Sequence, residues 1–271
     1  MPQLRMLTCA LAVLAMAPLA ACATKPPAPS GFLRSYDGLV DKDALRAGMM
    51  VRKDPAALAS VKKVLIAPAV IAPKVDVAWI GEKEKPLILR EMDAQLCFEL
   101  SKRYDIADKP GRDTALVRAA ITRVRPTGTA ASAASAVVGI FIPGPVGVRM
   151  PGQTGGLAAE AEMVAKNKQV AAIIWSRNAN AIGTDNPSMS EIGDALQFME
   201  PFADAVGKTM EPEGVEKKKI EAETDPCARY GPRIRPEGFL TKLVTGLYVP
   251  ELSAAKDAKP DEEKKGEPEK K

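Results

Sequence analysis

The chain has 271 residues, a formal net charge of +4, only 4% aromatic residues and no histidine. That length supports one substantial core, which must be built from Ala, Val, Ile and Leu. The missing histidine removes the commonest general base and the commonest zinc ligand. A weak basic bias, with no Lys/Arg stripe interleaved with aromatics, argues against nucleic acid as a partner.

The N-terminus is the most specific part. Arg5 is followed by an apolar run from Leu7 to Leu19, too short to span a bilayer and ending in small residues, as a signal peptide does. The quartet Leu19-Ala20-Ala21-Cys22 resembles the lipobox of bacterial lipoproteins. That resemblance implies removal of residues 1–21, a Cys22 thiol alkylated with diacylglycerol and a Cys22 amine that is then acylated. Several acyl chains hold a protein on a membrane far better than one. Ala23, where inner-membrane retention in enteric bacteria uses aspartate, implies the outer membrane, facing the periplasm. The competing reading is an ordinary signal peptide with an incidental cysteine. Residues 22–30 then form a lipidated cysteine and a proline-rich, extended tether.

In the segment "SGFLRSYDGL", Phe32, Leu33, Tyr36 and Leu39 share one helical face and predict a short docking segment. The apolar run at 61–71 predicts a strand buried on both faces, bulged or ended at Pro68. A helix is predicted over 85–104, with Pro86 in its first turn and Leu89, Met92, Leu96 and Leu100 on its apolar stripe. A short strand around "YDIAD" and a turn at "KPGRD" follow, and alternation predicts a longer strand over 114–126. Next come two runs joined at "KNK", read as a β-hairpin. The first sets Glu160 and Glu162 against Ala159, Ala161 and Met163, which predicts one solvated face. A second helix is predicted over 188–210, with Ser188 and Glu191 at capping-box spacing and a kink, or a split into two pieces, at Pro201.

Residues 127–156 break the pattern. They are long, small-residue-rich and apolar, with Val138, Ile140, Phe141, Ile142 and Val146 as a candidate partner-binding set. The competing reading tucks this insertion into its own core. A C-terminal extension over 213–252 carries a short helix at 238–252, and the charged stretch 253–271 lacks the apolar residues to fold. Cys97 and Cys227 remain after Cys9 and Cys22 are assigned to the signal and the anchor, and an even pair in an oxidising compartment suggests a disulfide. Two separate thiols are the alternative. Together these elements predict an α+β fold over 31–212: a two-layer sandwich with a mainly antiparallel or mixed four- to five-stranded sheet and two main helices on one face.

The lipobox, the "SGFL" segment, the apolar first strand and "LVRAAITRVRP" resemble a family of bacterial lipoproteins known as domain of unknown function 3313. The resemblance runs from about Ser30 to Met210. It implies a lipoprotein facing the periplasm, with no activity, substrate or catalytic residue to carry over. The chain departs from the family at the hairpin turn, "AKNKQ", and from Asp225 onward.

Chemistry-bearing motifs are sparse. Ser60 and Lys63 match Ser-x-x-Lys but lack the two companion motifs of penicillin-binding enzymes. Glu160 and Glu162 share a strand face, as acid/base pairs sometimes do. Asp185, with Asn178, Asn180 and Asn186, lacks the spacing of a calcium loop. No catalytic residue, metal ligand or cofactor is assigned. The reading is a non-enzymatic, lipid-anchored envelope module for binding or assembly, which meets an envelope protein partner through residues 127–156 or through the open face of the sheet. The alternatives are a periplasmic hydrolase-like enzyme and an oligomeric lipoprotein that inserts a hairpin into the membrane, similar to the curli secretion lipoprotein.

Overall fold

The computed structural model describes residues 25–42, 44, 46–128, 147–148, 154–180, 182–183, 185–186, 188, 190–245 and 248–255. Three long strands form the centre of the sheet. These are β6 (Thr114–Arg125), β8 (Gly156–Ala165) and β9 (Lys168–Asn178), paired antiparallel in the order β9-β8-β6. The edges are extended by β1 (Val40–Asp41), β2 (Gly48–Lys53), β3 (Lys63–Ile66), β4 (Val70–Ile71) and β5 (Asp105–Ile106). The result is a mixed, open, eight-stranded sheet in which β3 runs parallel to β5 and β6, and β4 parallel to β6. A separate pair joins β7 (Gly147–Val148) to β10 (Ile182–Gly183).

The α+β class holds, but the sheet is larger than the four or five strands expected. The additional strands are short. The "GMMVRK" strand, β2, shows no clear apolar/polar alternation, yet it pairs with β9 from Gly48 to Lys53. The apolar run at 61–71 divides into β3 and β4 around Pro68, which has no N–H to give to a ladder.

Helix α1 is Pro55–Ser60, capped by the Asp54 carboxylate on the Ala57 amide. Helices α2 (Glu84–Ser101) and α3 (Gly193–Thr209) pack on each other and cover one sheet face. That face contributes Leu157, Ala159, Ala161, Met163, Ile173 and Trp175 to the main core, where Trp175 meets Phe202 at 5.7 Å between ring centroids. Two details of the second helix differ from expectation. Pro201 lies inside α3 without ending it, and the Ser188/Glu191 capping box does not form. The Ser188 hydroxyl accepts from the Ser190 amide instead, and the helix start is held by Thr127, whose hydroxyl accepts from the Asp194 amide.

The C-terminal extension is part of the same core. Cys227 is bonded to Cys97 on α2 across a sequence separation of 130. The Arg235 guanidinium donates to both carboxylate oxygens of Glu91, each at 2.9 Å, and Arg233 donates to the Phe98 carbonyl at 2.8 Å. Helix α4 is Glu237–Thr245, shorter than expected, and a single turn at Pro250–Leu252 follows. Residues 253–255 also depart from the expected charged tail: Ala254 and Ala255 are buried, and the Ala255 amide donates to Glu91 at 2.7 Å. Among the described residues no helix is long and apolar enough to cross a membrane.

Candidate functional site: the strapped face of the sheet

The sheet face opposite the helices is not open. Residues 25–39 run across it as a strap. It lacks the expected helix; its backbone is a series of turns. Its apolar residues still dock: Leu33 joins Ala172 and Ile174 in a second small core, flanked by Phe32, Tyr36, Leu39 and Met50.

This strap corrects the reading of Glu160 and Glu162. Their alternation along β8 is as expected, but the face they share is buried, and both residues are 0% exposed. Glu160 accepts from the Ser30 amide and hydroxyl, both at 2.8 Å, and from the Tyr36 hydroxyl at 2.7 Å. Glu162 accepts from the Arg34 amide at 2.9 Å and the Gln169 amide nitrogen at 2.8 Å. It also pairs with Arg118 at 2.6 Å, its partner in register on β6. Arg118 in turn donates to the Phe32 carbonyl and lies 4.8 Å over the Phe32 ring. A buried carboxylate is tolerated only when paired and hydrogen-bonded. The strap supplies most of those partners, so the carboxylates fasten it in one register. The donor-rich "SGFLRSY" and the charge of Arg118 were the sequence signals for this arrangement.

The strap enters at one end of the sheet. The Lys25 carbonyl accepts from the Ser176 hydroxyl at 3.2 Å. Gly48 lies directly beneath, where a Cβ would come within 2.3 Å of Lys25 backbone. The insertion leaves from this same end. Its two flanks converge on Asp194, which is fully buried. One Asp194 carboxylate oxygen accepts from the Gly155 amide at 2.8 Å, while the Thr127 amide donates to the Glu191 carbonyl at 2.7 Å. In register, Ser176 faces Ala158 on β8. Gly155 is three residues further along, or about 10 Å at strand rise.

Cys22 and the candidate set Val138, Ile140, Phe141, Ile142 and Val146 lie outside the described residues. Ser60 and Lys63 sit at the other end of the sheet in a surface cleft, away from Glu160 and Glu162, and the Ser60 hydroxyl donates to the Ala57 carbonyl at 2.7 Å. Asp185 is buried against the Arg177 guanidinium and accepts from the Asn180 amide at 3.3 Å, so its carboxylate is engaged within the protein.

Sheet, paired helices and strap define an α+β domain whose N-terminal segment is docked over the face that the helices leave bare. The chain belongs to the DUF3313 family, described as "Protein of unknown function (DUF3313)", with residues 28–206 matched. No curated protein matches it. Among solved structures it is similar to a single-substitution variant of the PelC dodecamer and to the PelC dodecamer itself, both from Paraburkholderia phytofirmans. Identities are 9% and 8% and TM-scores 0.36 and 0.35, over 62% of this chain and 98% and 99% of those chains. Likeness at that level bears on neither the activity nor the assembly of this chain.

Proposed function

We propose that the protein is a lipid-anchored module of the cell envelope, facing the periplasm from the outer membrane, and that it works by binding a protein partner rather than by catalysis. The observation that carries this reading is the shared end of the sheet. Lys25 is fixed there by Ser176 and Gly48, and the flanks of the insertion are fixed there by Asp194. An acylated Cys22 lies three residues before Lys25, a reach of about 11 Å at most. The anchor therefore holds this end against the bilayer, with the flanks of the insertion beside it, and residues 127–156 are the proposed contact for a neighbouring envelope protein.

The same proximity favours a second reading, in which the insertion enters the lipid. In-cell crosslinking from probes at Phe141 and Val146, with a probe at Lys219 as an exposed control, separates the two. Crosslinks to one defined protein, lost when residues 130–150 are deleted from a chain that still folds, support the binding module. Crosslinks to lipid support insertion. Crosslinks only to the protein's own core overturn both. Mass spectrometry tests the anchor separately: an unmodified N-terminus at Cys22 refutes it.

A further inference from the structure

The other end of the sheet, about ten residues or 30 Å away along β8, carries a cleft of about 540 Å³. It is built where the start of β3 pairs with the start of β6 and the β8–β9 turn closes beside them. Its floor includes the buried Val61 and Ala115, and its rim is cationic: Lys62, Lys63, Arg112 and Lys166 are all exposed. None of the four forms an ion pair among the described residues. Asp113 is the acidic residue that lines the cleft. Asp105, close enough for Lys63 to help lower its carboxyl pKa, is already bonded to Lys218 at 2.6 Å, the larger cause of that lowering.

Two features mark this as more than a solvated face. The first is Lys166. The β8–β9 turn has two residues, Lys166 and Asn167, with φ of 47° and 64°. Both are left-handed, as a type I′ turn requires, and that geometry favours Asn or Gly. Lysine stands at the first position against this preference, and it lines the cleft. The second is shape: the cations surround a concavity with an apolar floor, of the size range of small-molecule sites. Four like charges around one cleft repel each other and are relieved by a bound anion.

We infer that this cleft is a binding site for an organic polyanion bearing at least two phosphate or carboxylate groups, which the rim cations hold while its apolar portion rests on Val61 and Ala115. The site goes beyond the proposed anchor and partner surface and needs neither. Ser60 and Thr114 add hydroxyl groups along the wall. Among the described residues the cleft has no aromatic lining on which a nucleobase would stack, which turns the choice away from nucleic acid.

Calorimetric titration of the full-length chain in neutral detergent tests this, with tripolyphosphate and trigalacturonate as probes at low salt. Saturable one-to-one binding of either supports the site, and the tighter probe tells phosphate from carboxylate. Lys166→Asn is the decisive variant. It places a residue suited to the left-handed turn, so thermal stability is kept or raised, while affinity falls about fivefold for the lost charge. Lys62→Gln combined with Lys166→Asn is expected to lower it about 25-fold. At about 1 M salt, where screening acts within ~3 Å, binding disappears. Lys74→Gln, an exposed lysine elsewhere, is the control and changes affinity less than about twofold. Absence of saturable binding to both probes overturns the site, as does a Lys74→Gln loss equal to that of Lys166→Asn.

Discussion

Tyr36→Phe tests how the strap is held. The Tyr36 hydroxyl donates to the buried Glu160 carboxylate at 2.7 Å and accepts from the Gly31 and Leu33 amides at 2.7 and 3.2 Å. The bond to the Glu160 carboxylate contributes about 1.5–3 kcal/mol, and the partly buried Leu33 amide adds about 0.5–1.5. The exposed Gly31 amide turns to water at little cost. Glu160 keeps its two bonds from Ser30. The expected loss is about 3 kcal/mol, or ~6–12 °C in Tm for a domain of this size. The assay is urea unfolding alongside hydrogen exchange at the Leu33 and Arg34 amides. If the strap opens as its own unit, exchange there accelerates before the global transition moves. Ser35→Ala removes two exposed bonds to Asp37, one donated to its carboxylate and one accepted from its amide, and is expected to stay within about 0.5 kcal/mol of the parent. A Tyr36→Phe protein with both unfolding and exchange unchanged would refute the claim that Glu160 fastens the strap.

Further predictions follow from the rest of the structure. Reducing the Cys97–Cys227 bond opens a loop with a sequence separation of 130, for which the chain-entropy model gives about 5 kcal/mol; the shift in urea midpoint with and without reductant measures it. Gly48→Ala drives a methyl group into Lys25 backbone, so residues 25–26 lift off the sheet at a cost of about 1–3 kcal/mol, read as a lower urea midpoint. Burial holds the Asp93 carboxyl above the ordinary value of 3.8, although its bond from the Ala69 amide pulls it back. Its charged form therefore opposes folding at neutral pH, and that penalty vanishes as pH falls through the raised pKa towards 3.8 and below. Asp93→Asn keeps the Ala69 bond without the charge. It is expected to be neutral or stabilising at pH 7, with the advantage gone in acid, as denaturation at several pH values will show.

Local chemistry determined what lies along the chain. The long strands β6, β8 and β9 were legible because alternation has a period of 2, and α2 and α3 because their apolar stripes repeat at helical spacing. The family was legible in the same stretch. The burial of Glu160 and Glu162 was not, because alternation tells which residues share a face and is silent on what covers it. The covering segment is 124 to 130 residues away in sequence. For the same reason β1 and β2, at one edge of the sheet, escaped notice: pairing with a neighbour, rather than propensity, makes them strands. The Ser188 cap was misread because Thr127, brought in from the end of β6, holds the start of α3 instead. Only the tertiary structure placed the strap entry and the neck of the insertion at one end of the sheet and, at the other, four cations that form no ion pair among the described residues. Those positions depend on strand register, which is set by the joint packing of strands, helices and strap, and no single segment carries that information.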